Sequence, residues 1–244
     1  MYGKETVIQV IYTEMTKKAL ILSFEAHKNQ VDKSGIPYVY HPFHLAEQMN
    51  TEEETIAALL HDVVEDTHFS IEDIKAEGFA DNIVEALSLL THDESIPYMD
   101  YVAKIKHNRI AKAVKLADLR HNSDLSRLET VDVKAIKRVQ KYAEAVKLLL
   151  GKDAVVNNLK FSCYSDGSVY LGGTVKNGCL NIESEVCGDS YSSEKYYSFS
   201  KKETEKLFSL MTLQELIEMC KRVHVLGMEK FFEENDIRYE SSAV

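Results

Sequence analysis

Positive charge is scarce in this chain. Its 244 residues carry 29 Lys and Arg against 39 Asp and Glu, a net charge of -10, and each half is acidic on its own. That balance excludes an extended nucleic-acid surface as the main business of the protein. Cysteine is sparse too. Cys163, Cys179, Cys187 and Cys220 form no C-x-x-C pair, which excludes a zinc ribbon. Free thiols in a reducing cytoplasm are expected instead. No apolar run reaches the length of a membrane span, so no membrane association is expected. The opening MYGKETVIQVIYTEM has acids early and no long apolar stretch, so no signal peptide is expected. Internal repeats and low-complexity tracts are missing as well. Histidine is nearly absent from the second part: His224 alone follows residue 150, and eight precede it. Imidazole chemistry therefore belongs to the first part.

What is present begins with helix. From Glu5 to Leu150 the apolar residues recur at helical spacing, as in Ile8, Ile11, Met15, Leu20 and Phe24. Thr51-Glu-Glu-Glu54 reads as a capping box, and Ser70-Ile-Glu-Asp73 as a second helix start. Pro97 opens a further helix, and Gly151 is a C-terminal stop. The expectation is an all-α domain over residues 1–150, with about six to nine helices. Then the pattern changes. Asp166-Gly167 and Asn177-Gly178 are strong hairpin turns between short runs rich in Tyr, Val, Leu and Ile. A meander of three or four strands is expected from Val155 to Phe199. Ser200-Lys-Lys-Glu203 and Thr212-Leu-Gln-Glu215 each open a helix. A third helix is expected over Val225 to Glu234, with a final strand in IRYESSAV. Residues 151–244 thus read as a small α+β domain with an antiparallel β-meander.

The chemistry concentrates in ALLHDVVEDT, Ala58 to Thr67. An apolar helix runs straight into His61, Asp62, Glu65 and Asp66. On a helix, His61 stacks over Glu65 and Asp62 over Asp66. Burying unpaired carboxylates is costly, and a divalent cation would compensate. Further ligands have to come from elsewhere. PYVYHP places His41 at the mouth of a helix. KLADLRHN places Asp118 where the helical pattern calls for core. Two histidines and two aspartates make a mixed N/O site suited to Mn²⁺, Fe²⁺ or Zn²⁺, with positions left for water and substrate. An HD dipeptide alone carries little weight, and His27, His44, His68, His92 and His107 read as ordinary solvated or hydrogen-bonded residues. The ordered set is far more restrictive.

That set, DKSGIPYVYHP followed by ALLHDVVEDT and VKLADLRHN, resembles the hydrolase domain of the RelA/SpoT alarmone enzymes, within the HD superfamily of metal phosphohydrolases. The resemblance covers roughly Leu20 to Leu128. It implies one Mn²⁺ ion held by His41, His61, Asp62 and Asp118. It implies that Glu65 and Asp66 position and deprotonate the attacking water, and that Asn122 contacts the sugar of a nucleotide. Lys33, in the loop before His41, is the expected second substrate contact. The implied reaction removes the 3′-pyrophosphate of ppGpp or pppGpp, giving GDP or GTP.

Two positions depart from the family pattern. Relatives often carry arginine, which can stack on the guanine base, where this chain has Asp32. The usual ADRLHN reads ADLRHN here, which moves the arginine to Arg120. A phosphohydrolase acting on another nucleotide, such as NADPH, is the alternative these departures keep open. A nucleotide-binding sensor is a third reading, disfavoured by the intact Glu65–Asp66 pair. A stand-alone hydrolase with a small appendage, in place of the synthetase domain of the long RelA/SpoT proteins, is expected. Tyrosines in the second part leave room for a protein partner or self-association.

Overall fold

The computed structural model describes residues 11–32, 35–165, 169–188 and 191–243. They fall into two compact units. One comprises the chain up to His121 together with Ala145–Lys152; the other comprises Asn122–Glu144 and the chain from Asp153 onward.

The first unit is helical. Its elements are α1 (Glu14–His27), α2 (Tyr40–Ala46), α3 (Glu52–Leu60), α4 (Val63–Asp66), α5 (Ile71–Ala76), α6 (Asp81–Leu90), α7 (Tyr98–Ile105) and α8 (Arg109–Asn122), joined by the last turns of α9 (Val133–Leu150). At its centre is α3, which packs on α1, α2 and α6. Every residue of α3 from Glu54 to Leu60 is buried. A helix apolar on all sides is a core helix rather than a surface one. Whatever follows Leu60 therefore emerges inside the unit, which is why the polar run of His61 and Asp62 lies behind an apolar segment. Glu54 is the exception within α3, and its carboxylate is met by the Arg109 guanidinium.

The second unit is built on a five-stranded antiparallel sheet in sequential order, β1 (Asn158–Ser165), β2 (Val169–Lys176), β3 (Cys179–Gly188), β4 (Tyr191–Ser198) and β5 (Glu240–Ala243). Two helices, α10 (Lys201–Leu210) and α11 (Leu213–Glu234), complete it, α10 touching β3 and α11 touching β1. Leu171, Val175, Leu180, Ile182, Phe199, Leu207, Phe208, Leu216 and Phe232 form its core. The β2–β3 hairpin closes through Asn177 and Gly178, with φ of 52° and 75°. A two-residue turn with both centres left-handed matches the twist of the strands it joins. An all-α unit followed by an α+β unit is the expected fold class.

Several local expectations are corrected. Among the described residues helix α1 begins at Glu14, capped by the Thr13 hydroxyl; the helical pattern expected from Glu5 to Val10 lies outside the described residues. Thr51 caps α3 by accepting from the Glu54 amide. The reciprocal half of the box is missing, since the Glu54 carboxylate accepts from Asn50 N and meets Arg109. The stretch from Leu213 to Glu234 is one helix of 22 residues, not two. A helix this long absorbs Gly227, which costs only about 1 kcal/mol relative to alanine. The turn expected at Asp166-Gly167 lies outside the described residues.

Candidate metal centre

Three segments build the site. The first is the loop from Lys28 to Val39, closed by a Val31–Pro37 bridge. Asp32 makes its turn: its carboxylate accepts from Ile36 N at 3.0 Å, its carbonyl accepts from Gly35 N, and Gly35 sits at φ 76°. A short acidic side chain capping its own turn is a standard loop device. The loop delivers Tyr38 and then α2, whose second residue is His41. The second segment is the junction of α3 and α4. The continuous helix expected through ALLHDVVEDT is interrupted here: α3 stops at Leu60, and α4 starts at Val63. Asp62, with φ −97° and ψ −4°, opens the turn between them. The third segment is α8, whose buried row Val114, Ala117, Asp118 and Leu119 puts a carboxylate among apolar neighbours.

These segments bring four polar side chains together. His41 Nε2 lies 3.5 Å from Asp62 Oδ2 and 3.4 Å from Asp118 Oδ1. His61 Nε2 lies 2.9 Å from Asp62 Oδ2. Ligand atoms of His41, His61 and Asp62 all fall within 4.8 Å of one another. With metal–ligand bonds of about 2.1 Å, donors around one ion stand roughly 3 to 4 Å apart. His41, His61 and Asp118 are each less than 10% exposed.

The donor set tests whether a cation fits. His61 Nδ1 donates to the Ala58 carbonyl at 2.9 Å. In the neutral ring this leaves Nε2 as a bare lone pair. That nitrogen is buried and lacks a hydrogen-bond partner, yet it faces a carboxylate oxygen. Two acceptors at this separation repel unless a positive charge lies between them. The titration behaviour states the same need. Burial opposes the His61 imidazolium, but Asp62 and then Asp118 overcome it and push its pKa up to about 9. Burial also pushes Asp62 up, and the His61 ring beside it holds the carboxyl below its usual range. Asp118 is likewise pushed up by burial and held well down, chiefly by Lys115. The Lys115 ammonium bonds Asp118 Oδ2 at 2.9 Å, leaving Oδ1 turned to His41. A divalent cation supplies the positive charge this cluster calls for, and an ion ligated by imidazole Nε2 with Nδ1–H on a carbonyl is the usual arrangement. The residues fit a metal.

Glu65 and Asp66 stand at the solvent end of α4, both exposed. Glu65 Oε2 accepts from the His92 amide at 3.0 Å. Partial burial, and after it the charge of Asp62, raises the pKa of both. Tyr38 links the two groups of acids. Its hydroxyl donates to Asp62 Oδ2 at 2.5 Å and reaches Asp66 Oδ2 at 3.4 Å. Burial, with Asp62 next, drives the pKa of that phenol far above its ordinary value, so it stays a donor. Behind it, His27 Nδ1 donates to Gln30 Oε1 at 2.7 Å, and Gln30 Nε2 donates to the Asp66 carbonyl at 2.9 Å.

Of the expected substrate contacts, Lys33 lies outside the described residues. Asn122 is the last residue of α8, one turn beyond Asp118, and belongs to the second unit. The reordered ADLRHN has a packing reason: Leu119 is 1% exposed, and Arg120 points to solvent. Sequence reasoning passed over Tyr38, His27, Gln30 and His121. Tyr38 and His121 lie inside the quoted motifs, and that adjacency was the available signal.

Residues 19–145 match the family model described as an HD domain. Guanosine-3′,5′-bis(diphosphate) 3′-pyrophosphohydrolase MESH1 of Danio rerio is 34% identical over 152 residues, which covers 54% of this chain and 82% of that protein. The bifunctional (p)ppGpp synthase/hydrolase SpoT of Escherichia coli is 29% identical over 145 residues, covering 50% of this chain and 20% of SpoT. A solved structure of a metazoan ortholog of SpoT that hydrolyzes ppGpp aligns with TM-score 0.46 and 23% identity, over 60% of this chain and 91% of that one.

Proposed function

The chain belongs to the HD-domain family that includes the ppGpp hydrolases, and from that premise we propose that it hydrolyses the 3′-pyrophosphate of ppGpp or pppGpp with one Mn²⁺ ion. The convergence of His41, His61 and Asp62, with Asp118 3.4 Å from His41, carries the reading. The names of the MESH1 and SpoT relatives supply the substrate.

When bound, a divalent ion lowers the pKa of a coordinated water and polarises phosphoryl oxygens. His41, His61, Asp62 and Asp118 would hold it. Lys115 keeps one oxygen of Asp118 engaged so that the other faces the site. Glu65 and Asp66, their pKa values moved upward toward neutrality, take the proton from the attacking water. The water oxygen adds to the phosphorus attached to the 3′ oxygen. The P–O3′ bond breaks, its electron pair stays on the 3′ oxygen, and that oxygen is protonated. Lys33 and Asn122 contact the nucleotide. Cys163, Cys179 and Cys220 are all unpaired, which supports a reducing, cytoplasmic setting.

The test is an assay of Mn²⁺-loaded protein against ppGpp and NADPH with product identification. Pyrophosphate and GDP from ppGpp are expected. Orthophosphate from NADPH, with ppGpp untouched, would overturn the substrate. Nucleotide binding without turnover would replace the enzyme by a sensor.

A further inference from the structure

The ring of His41 is held from behind by another imidazole. His41 Nδ1 and His121 Nδ1 lie 2.8 Å apart, a full hydrogen bond between side chains 80 residues apart in sequence. The His121 ring lies close to two others: its centroid is 4.8 Å from that of His41 and 4.7 Å from that of His44. One proton lies between the two Nδ1 atoms, and its owner decides what the other edge of His41 can do.

We infer that His121 is a positioning residue that accepts the Nδ1 proton of His41 and so frees His41 Nε2 to ligate the metal; this rests on the metal-dependent reading above. A neutral imidazole with Nδ1–H has a lone pair on Nε2. That lone pair then points at the space shared with Asp62 Oδ2 and Asp118 Oδ1, 3.5 and 3.4 Å away. These separations are long for a strong N–H···O bond and suit neighbouring ligands of one ion. With the opposite polarity, His121 would donate, His41 would carry its proton on Nε2, and that nitrogen could not ligate. His121 therefore has to be neutral with its own proton on Nε2. The two candidate imidazole ligands are oriented by different means. His61 leans on the carbonyl of Ala58, within its own helix end. His41 sits in the first turn of α2, where the Tyr38 carbonyl accepts from its amide, and its Nδ1 meets an acceptor from α8. Because α8 also carries Asp118, one helix supplies a ligand and the brace of another.

The experiment measures Mn²⁺ affinity of the full chain by competition with a fluorescent chelator, for the native protein, His121→Phe and His121→Gln. The phenylalanine keeps a packed ring but offers no acceptor. Its affinity is expected to fall by about 10- to 100-fold, the usual cost of losing a partner behind a ligand. The glutamine restores an acceptor oxygen and is expected to recover most of that loss. Affinity of His121→Phe within about twofold of native would overturn the inference. Should His121→Phe fail to fold, ¹⁵N NMR of the native Zn²⁺-loaded protein decides: His41 Nδ1 protonated and His121 Nδ1 unprotonated is expected, and the reverse overturns it. Absence of Mn²⁺ binding by the native protein would sink the functional reading instead, and is distinguishable from binding that ignores residue 121.

Discussion

Both units gather charged groups, the second at a partly exposed pair and the first at a buried cluster, and they do so in opposite ways. In the second unit, Glu229 on α11 accepts from the Lys195 ammonium and from the Tyr197 hydroxyl, the latter at 2.7 Å. Acid and donors meet within the chain, and the group is closed. In the first unit, four acidic side chains, Asp62, Glu65, Asp66 and Asp118, surround two imidazoles, and Lys115 is bonded to one of the acids alone. There the buried His61 Nε2 lies 2.9 Å from a carboxylate oxygen without a well-formed hydrogen bond to it. Buried charge by itself says little about function. The balance of donors against acceptors is what separates a brace from a site.

The largest effect that sharpens this contrast is removal of a ligand. Asp62→Ala or His61→Ala is expected to abolish measurable Mn²⁺ binding by calorimetry and to lower turnover by at least about 10³-fold. Full activity in either variant would break the contrast at its root. Next in size is Glu65→Gln, which keeps the shape and the hydrogen bond from His92 but removes the base. A fall in kcat of about 10²- to 10⁴-fold is expected with metal affinity unchanged. Loss of metal instead would move Glu65 into the ligand set.

A third prediction concerns pH. The folded pKa of His61 lies above its ordinary 6.5, at about 9, behind Asp62 and Asp118. A raised pKa stabilises the fold wherever the group is protonated. Chelator-treated protein is therefore expected to be fully stable below pH 6.5. It should lose on the order of 3 kcal/mol as pH climbs through 9. The Mn²⁺-loaded protein should show little change over that window, which thermal unfolding in both states would reveal. Smallest of all is Tyr197→Phe in the second unit. Loss of one buried hydrogen bond there is expected to cost about 1 kcal/mol in urea unfolding. Mn²⁺ affinity should stay as in the native protein, and a change in it would deny that the second unit's charges are self-contained.

Much of this was legible in the sequence, for identifiable reasons. Helical periodicity and the Asn177-Gly178 turn report on local backbone, so the all-α part and the meander could be read directly. Of the candidate ligands, Asp118 stood out as an acid where its helix calls for core, His61 and Asp62 as polar residues behind an apolar helix, and His41 by its place at the mouth of a helix. What could not be read was relation across segments. Glu54 looked like half of a capping box and turned out to face Arg109. His121 drew no reading of its own inside its motif, and only the structure places its Nδ1 against that of His41. Asp32 read as a lost arginine, whereas its carboxylate closes the turn that presents Tyr38. Such roles depend on a partner tens of residues away or on a turn with no periodicity.

Gly178 has one more implication. A methyl group there would lie 2.5 Å from the Gln140 side chain and 2.9 Å from the Ile136 carbonyl, and Gln140 donates to the Gly178 carbonyl at 2.8 Å. The hairpin thus caps the flank of α9 whose last turns serve the helical unit. Cutting the polypeptide after Leu150 would leave Gln140 without that acceptor and would bare Ile136 and Val139, each fully buried in the intact protein. Grafting or shortening this hydrolase would accordingly have to carry the hairpin along, or repaint one side of α9 with polar residues.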